Sequence, residues 1–481
     1  MKFKTLCIIL LVVLMQKVTG QHNSTTYYMD FLPQSAVLNP AIQPVCNFYL
    51  SLPSVSFELK NNAVNFNDVV YYREDLDMYI TPFDTMATVA EQNLFIDNFK
   101  ALNTFGGDIY IDAFGFGFRA NKSFISFSIA EKFEGNLDYP ADFLTLLVKG
   151  NAETNNLEMS GLGFRNNIYQ EISLGISTKI DNNLTYGFRG KLLFGQMNLQ
   201  VKKQDITLEM DPFNTHINSS FEIVGSNPFI NIYTTGNDFD SVKIQEDIET
   251  QDLLDAFLLN KKNIGFGFDL GVIYNSDKIS FSASVVDLGM ILWRNNTFNL
   301  TQDAEFDFSG IEIDFFDKSE SDEDTTFFDM LIDSVFNAFE LTSTEGNGYS
   351  TMLSTKILFG FNYQLTKRVG LGVLSYNQIY RSKIFPRVTL SANFKPFRWL
   401  STSFSYSILN EEYYNMGFGL SFKSGPFNVY FVGDTYPMVF TKGDTPIPLY
   451  LKGFRFQCGM NIVFGTGKIL KSEKDTPLLL E

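Results

Sequence analysis

The chain has 481 residues, with 37 Lys and Arg against 54 Asp and Glu, two His and three Cys, and its formal charge is −17 at pH 7. A charge this negative argues against a nucleic acid partner, because phosphate binding needs clustered Lys and Arg. The cysteines, Cys7, Cys46 and Cys458, are scattered without zinc or disulfide spacing, so we expect no metal site and no cofactor.

The first predicted element is a secretory signal peptide over residues 1–20. Lys2 and Lys4 precede a short apolar run at 6–15, and Val18 and Gly20 are small enough for a cleavage site. The alternative, a transmembrane anchor, needs about 20 apolar residues and is disfavoured by the shortness of this run. Cleavage after Gly20 removes three Lys and no acid, which leaves 34 basic against 54 acidic residues and a charge of −20.

Downstream, many segments of about ten residues alternate between large apolar side chains and small or polar ones. Phe404 and Tyr406, for example, alternate with Ser403, Ser405 and Ser407. Because successive strand side chains point to opposite faces, this period of two predicts strands with one aromatic face and one small polar face. A soluble sandwich that buries the aromatic face is the alternative. The small-residue faces, and lengths near the 9–11 residues of a tilted spanning strand, favour a membrane barrel.

The predicted barrel occupies residues 46–465 and has about fourteen strands, with short turns alternating with long connections, as in outer-membrane barrels. The strands are expected near 46–60, 105–119, 123–131, 168–180, 184–196, 263–275, 278–287, 356–365, 368–380, 384–395, 398–409, 413–424, 426–434 and 453–465. Because an open sheet edge in lipid leaves backbone groups unpaired, the first strand should pair with the last. Cys46 and Cys458 would then lie on neighbouring strands at different heights, which favours free thiols over a disulfide.

Three stretches carry a resemblance to known proteins. They are Leu38-Asn39-Pro40-Ala41, the run at 284–289 followed by Trp293, and the strands between 388 and 420. On these residues the chain resembles an uncharacterised family of Bacteroidota outer-membrane proteins, known as a domain of unknown function. More distantly it is similar to the long-chain fatty acid transporters and to barrels of the type IX secretion system.

The resemblance to the fatty acid transporters implies a hatch. In that family an Asn-Pro-Ala near the amino terminus belongs to a segment that closes the lumen. Asn39, Pro40 and Ala41 would then be hatch or ligand-binding residues in a plug over residues 21–45. The prolines Pro33, Pro40 and Pro44 disfavour regular helix or strand pairing there. A periplasmic leader packed at the base of the barrel remains the alternative.

The long connections contain apolar residues at helical spacing, most clearly Phe327, Phe328, Leu331 and Phe336, with weaker patterns at 86–102, 142–148 and 253–258. The functional interpretation is a vestibule that captures a hydrophobic ligand. The structural interpretation, which we favour, is a set of loop helices that cover the barrel mouth, because ordered loops must bury some apolar surface. Acidic clusters in the same loops indicate a solvated surface, with divalent bridging to lipopolysaccharide as a further expectation.

The chain has no Gly-x-Ser-x-Gly, Walker or zincin motif, so we expect no enzyme. The sequence predicts an outer-membrane protein, exported by its signal peptide and ending in a periplasmic tail over 466–481. Its partners would be membrane lipid, lipopolysaccharide and a hydrophobic ligand. The expected function is passive binding or transport of a hydrophobic or small solute. The alternative is a surface scaffold or secretion-system partner, in which the loops bind another protein.

Overall fold

A computed structural model describes residues 24–150, 156–210, 215–235, 238–244, 260–308, 342–380, 383–409, 412–436, 439–440, 448–449 and 452–465. The predicted signal peptide and the predicted tail therefore lie outside the described residues. No helix within these ranges is both long and apolar enough to cross a bilayer.

Fourteen antiparallel strands form a closed barrel, as the sequence predicts. Their bounds are β1 (Phe48–Ser51 and Ser54–Asn61), β2 (Leu102–Ala120), β3 (Ser123–Pro140), β4 (Gly163–Lys179), β5 (Leu184–Met210), β6 (Ile264–Asn275), β7 (Ile279–Trp293), β8 (Lys356–Thr366), β9 (Val369–Tyr380), β10 (Lys383–Phe397), β11 (Leu400–Leu409), β12 (Glu412–Ser424), β13 (Phe427–Tyr436) and β14 (Phe454–Phe464). Each strand pairs with the next in chain order.

The ring closes where the first strand meets the last, and this prediction is confirmed. Leu50 lies opposite Ile462, and Phe57 lies opposite Phe456. Closure leaves the wall without an open sheet edge, which is what hydrocarbon requires. Cys46 precedes β1 at the rim, whereas Cys458 pairs with Val55 higher in the wall, and both thiols are free.

The two faces of the wall separate as the alternation predicts. On the outside, Phe266 is 54% and Phe404 51% exposed, as expected of side chains that contact acyl chains. On the inside, Ser403 and Asp269 are fully buried. The outer apolar belt includes Ile109, Phe114, Leu174, Phe188, Leu192, Leu270, Phe281, Phe359, Leu371, Leu390, Phe422, Val429 and Phe454.

Short turns gather at one rim, between β2 and β3, β4 and β5, β6 and β7, β8 and β9, β10 and β11, and β12 and β13. Longer connections with their own structure rise from the other rim. They contain helices Phe66–Val69, Val89–Asp97 and Ala141–Lys149 and the strands Tyr71–Arg73, Met78–Ile80, Asn156–Glu158, Ile230–Thr235, Asp238–Ile244, Tyr349–Met352, Val439–Phe440 and Pro448–Leu449. Two of the helices coincide with the helical spacing at 86–102 and 142–148.

Several strands are longer than the sequence indicates. The alternation predicts that β5 ends near 196, but it continues to Met210 and spans 27 residues. Above the membrane it pairs with Thr215–Ser226, which pairs in turn with Thr297–Phe308, and Thr342–Glu345 adds to that edge. The sequence pattern misses this sheet because strands in water need no continuous apolar outer face, so the aromatic alternation stops at the membrane boundary.

Candidate functional site: the plugged lumen

Residues 24–45 lie inside the barrel and form a plug. The segment folds as two short 3₁₀ helices, Thr25–Tyr28 and Pro33–Val37, joined by turns. Pro33 opens the second helix, where its missing N–H is not needed. Thr25, Ser35 and Asn39 expose none of their surface. In this structure the segment therefore lies within the lumen, and its role as a hatch stays a prediction.

The start of the plug is bound to the wall through Thr25 and Thr26. The backbone N–H and the hydroxyl of Thr25 both donate to Asp434 of β13, and its hydroxyl lies 2.6 Å from that of Ser405 on β11. Thr26 donates to Gln457 of β14 at 3.5 Å. Because buried polar groups need partners, the small polar inner face of these strands supplies the bonds that the plug requires.

Two tyrosines attach the plug to strands β7, β8 and β9. Tyr27 donates to Ser282 at 2.8 Å, and Tyr28 reaches the carbonyl oxygens of Phe361 at 3.0 Å and Val373 at 2.6 Å. Their rings meet edge to face with centroids 5.0 Å apart. Burial in the lumen raises the pKa of both phenols, so both remain protonated donors at neutral pH.

Asn39 organises the turn that follows the second helix. Its side-chain oxygen accepts the backbone N–H of Ala41 at 2.9 Å, which closes an Asx turn. Its amide nitrogen donates to the Tyr27 hydroxyl at 3.1 Å and lies 3.5 Å from the carbonyl of Ala283 on β7. The Asn-Pro-Ala segment therefore lies in the plug, as the resemblance implies. Its role as a moving hatch or ligand-binding site stays a prediction.

Glycines of the wall allow the plug backbone to approach. A Cβ on Gly187 of β5 would collide with the backbone of Pro40 and Ala41, and a Cβ on Gly271 of β6 would collide with Asn39. Side chains at these two positions would push the turn away from the wall. Four further glycines lie against plug side chains, those of Thr25, Tyr28 and Met29: Gly360, Gly372, Gly417 and Gly419.

The plug leaves the lumen at the short-turn rim. Arg119 of β2 donates to the side chain of Gln43 at 2.7 Å and to the carbonyl of Pro44 at 3.0 Å. Lys395 of β10 binds Asp30 at 2.6 Å. A cavity of about 270 Å³ opens here between the plug and the turns.

A network of ion pairs crosses the lumen beyond the plug. Asp287 of β7 binds Lys191 of β5 and Lys356 of β8, the latter at 2.5 Å, and lies 3.5 Å from Lys132 of β3. Lys132 also binds Glu171 at 2.6 Å. These groups come from five strands, so the network connects the wall across its interior.

A local irregularity of β7 brings Asp287 into the centre of this network. The residue has a positive φ of 58°, in the left-handed region that, apart from glycine, short polar residues such as Asp and Asn adopt most readily. Its backbone N–H donates to Asp269 of β6 at 2.8 Å, next to a register shift between these two strands. Asp269 in turn binds Lys191 at 2.8 Å and Arg189 at 3.4 Å.

Sequence reasoning missed this network. Asp287 lies in the run at 284–289 that carries the family resemblance, and Lys191 and Asp269 occupy inner positions of alternating strands. The charged residues at inner positions were the available signal for an ion network. The period of two shows that these side chains face the lumen, but it does not show which strands they connect. The predicted vestibule residues Phe327, Phe328, Leu331 and Phe336 lie outside the described residues.

Between the plug and the ion network lies a chamber of about 120 Å³. Its floor is the upper side of the plug, at Gln34, Val37 and Leu38. Its walls carry carboxylates, cations and the rings of Tyr110 and Tyr376. Apolar side chains line it as well, among them Val37, Leu38 and Val286, so a small molecule with both polar and apolar groups fits this space.

A closed ring of fourteen strands, an apolar outer belt, a polar interior and an amino-terminal plug together define a plugged transmembrane β-barrel of the outer-membrane class. The chain belongs to a family of unknown function (DUF5723), whose model matches residues 40–434. The resemblance to an uncharacterised family is thereby confirmed. A search of curated proteins found no match.

Solved outer-membrane barrels are similar to this chain over most of its length. The toluene transporter TbuX of Ralstonia pickettii has 8% identity and a TM-score of 0.41, with 93% of this chain and 97% of that chain covered. A Pseudomonas aeruginosa FadL homologue has 9% identity and a TM-score of 0.41, covering 93% and 100%. The autotransporter NalP translocator domain of Neisseria meningitidis has 6% identity and a TM-score of 0.31, covering 92% and 98%. The fold described above rests on this chain's own strand pairing.

Proposed function

We propose that this protein is an outer-membrane channel that binds and passes a hydrophobic or small solute passively, with the plug as its gate. The observation that carries the proposal is the position of the two cavities. One lies on each side of the plug, and plug residues bound both. A solute that moves from one cavity to the other must therefore displace part of residues 24–45.

The bonds that hold the plug are suited to reversible movement. The plug is held to the wall by hydrogen bonds, one ion pair and apolar packing such as that of Met29 and Leu32 on Tyr430, and the two described cysteines are free. A neutral hydrogen bond contributes only about 0.5–1.5 kcal/mol net, so a few of them can break together in a partial displacement. The proposal assigns no reaction to the protein. Binding of a hydrophobic solute would depend on the loop phenylalanines, Phe327 among them. The chamber favours a small solute with polar groups.

The test is a reversible lock, a disulfide bond that joins the plug to the wall. The hydroxyl oxygens of Thr25 and Ser405 are 2.6 Å apart, so the sulfur atoms of the double variant Thr25→Cys, Ser405→Cys are within bonding reach. The variant is prepared with Cys46→Ala and Cys458→Ala and reconstituted in liposomes. We expect solute-driven swelling to be slow when the lock is oxidised and to recover after reduction.

The two single-cysteine variants are the matched controls, since they carry the same substitutions without the crosslink. Liposomes that contain a barrel without residues 24–45 should swell fastest of all. If the oxidised lock passes solutes as fast as the reduced protein, and the deletion has no effect, the channel proposal is wrong.

The extracellular sheet favours a second candidate, a surface scaffold or secretion-system partner. Strand β5 spans 27 residues, whereas about 9–11 suffice to cross a bilayer, so an ordered sheet stands above the membrane. Sheets of this kind offer a defined surface to another protein. Crosslinking in intact outer membranes separates the candidates: a stoichiometric partner that is lost when 211–235 is deleted supports the scaffold, and its absence supports the channel.

A further inference from the structure

The chamber above the plug has a row of carboxylates on one side. Glu58 of β1 lies directly opposite Asp108 of β2, and Asp108 lies directly opposite Glu134 of β3. Like charges at opposed positions of neighbouring strands destabilise a sheet. Three in succession, all bordering one cavity, therefore need a compensating positive group.

The described residues provide only part of that compensation. Lys60 binds one oxygen of Asp108, while the other oxygen, Oδ1, is buried and accepts no hydrogen bond. Glu134 accepts one long hydrogen bond, from the Tyr169 hydroxyl at 3.4 Å, and has no ion pair within 4.0 Å among the described residues. This side of the chamber thus has acceptor capacity left for the donors of a ligand.

A donor is available on the neighbouring strand. Arg455 of β14 lies directly opposite Glu58 and forms a 3.9 Å ion pair with it through Nε, and its side chain is only 8% exposed. Its Nε and Nη2 donate to Ser56 at 3.1 and 2.7 Å, but its Nη1 makes no hydrogen bond and lies 3.9 Å from Asp434. The chamber therefore borders two groups that make no hydrogen bond, the acceptor Asp108 Oδ1 and, two strands away, the donor Arg455 Nη1, whose ion pair with Asp434 is long at 3.9 Å.

The charges around the chamber nearly balance. Four carboxylates and three cations border it: Glu58, Asp108, Glu134, Asp287, Lys132, Lys356 and Arg455. Lys60, which binds Asp108, brings the cations to four and balances the four carboxylates, so a bare ion of either sign would add an uncompensated charge. An apolar molecule would leave Asp108 Oδ1 and Arg455 Nη1 without hydrogen bonds. No group of three or more acidic, His or Cys side chains in the described residues has the arrangement of a metal site. The volume of about 120 Å³ is roughly ten times what one water needs.

We propose that the chamber binds a small zwitterionic solute of amino-acid size, with its ammonium group toward Asp108 and Glu134 and its carboxylate toward Arg455. This inference rests on the proposed channel function and names the solute class that such a channel would carry. The ammonium group would occupy the unused acceptors of the carboxylate row, and the carboxylate would take the free N–H of the guanidinium.

The test is equilibrium binding to the full chain in detergent micelles by titration calorimetry. The probes are L-alanine, its two halves propionate and ethylamine, and toluene. We expect saturable binding of L-alanine, and binding of each half at least about tenfold weaker, because a hydrogen bond to a charged group contributes roughly 1.5–3 kcal/mol. Toluene should neither bind in the chamber nor compete with L-alanine.

Two variants locate the site. Glu134→Gln removes the carboxylate that has the fewest partners, and Val37→Phe fills the chamber from the plug without changing a charge. Both should weaken L-alanine binding about tenfold or more. The control Glu74→Gln, an exposed carboxylate in an extracellular loop, should bind as the wild type does.

The inference is overturned if L-alanine binds no better than its halves, if both chamber variants bind it like the wild type, or if toluene displaces it. The measurement does not depend on flux. A channel that passes solutes in liposomes but shows no L-alanine binding keeps the proposed function and loses the solute class, whereas a locked plug that does not slow flux removes the proposed function itself.

Discussion

Replacing Asn39 by alanine should loosen the plug by an amount that its contacts define. The substitution removes the 3.1 Å bond to Tyr27 and the 2.9 Å bond from the Ala41 N–H, while the 3.5 Å approach to Ala283 is too long to count for much. Two neutral hydrogen bonds and one buried N–H without a partner together cost about 2–4 kcal/mol. The equilibrium between seated and displaced plug should therefore shift roughly 30- to 700-fold.

Limited proteolysis measures this shift. Chymotrypsin cuts after aromatic residues, and Tyr27, Tyr28 and Phe31 are protected while the plug is seated. When opening is fast relative to cleavage, the cleavage rate follows the population of the open form, so release of plug peptides should accelerate by the same factor. Asn98→Ala, at an exposed position in an extracellular loop, is the matched control. Equal cleavage rates in Asn39→Ala and wild type would refute the assignment of Asn39 as an anchor.

Three further predictions test the wall, the belt and the rim. Asp287→Ala leaves three lysines without their shared partner, so the free energy of unfolding in micelles should fall by roughly 3–5 kcal/mol, and a change below about 1 kcal/mol would contradict the network. Phe404→Arg puts a charge on the belt and should destabilise the barrel in liposomes by about 2–4 kcal/mol if Phe404 lies at mid-depth, whereas Leu94→Arg in an extracellular helix should not. Burial raises the pKa of Cys46 to about 12, so its thiol should resist maleimide at pH 8 until the protein unfolds; rapid labelling of the native protein would contradict this.

Much of the fold follows from the local sequence. Period two assigned Phe404 to the lipid and Ser403 to the lumen, and the structure agrees at both positions. Pairing of the first strand with the last followed from the cost of unpaired backbone in hydrocarbon. The same alternation predicts that β5 ends too early, because the part of the sheet beyond the membrane needs no aromatic outer face.

The candidate site was only partly predictable. The resemblance put Asn39, Pro40 and Ala41 in a plug, yet the residues alone left a leader beneath the barrel open. The reason is sequence separation: Thr25 finds its partner Asp434 across 409 positions of the chain, and no local pattern links them.

The sequence itself determined the order of the strands, the direction of each side chain and the need for a closed ring. Alternation and the hydrogen bonding of backbone groups act between near neighbours, so a local pattern can show them. Only the tertiary structure decided three features: the contact of the plug with Gly187 and Gly271, the convergence of three lysines on Asp287, and the chamber between them. Ring closure brings inner faces from distant strands together, and the contacts across a lumen depend on strand register and tilt, which no segment encodes alone.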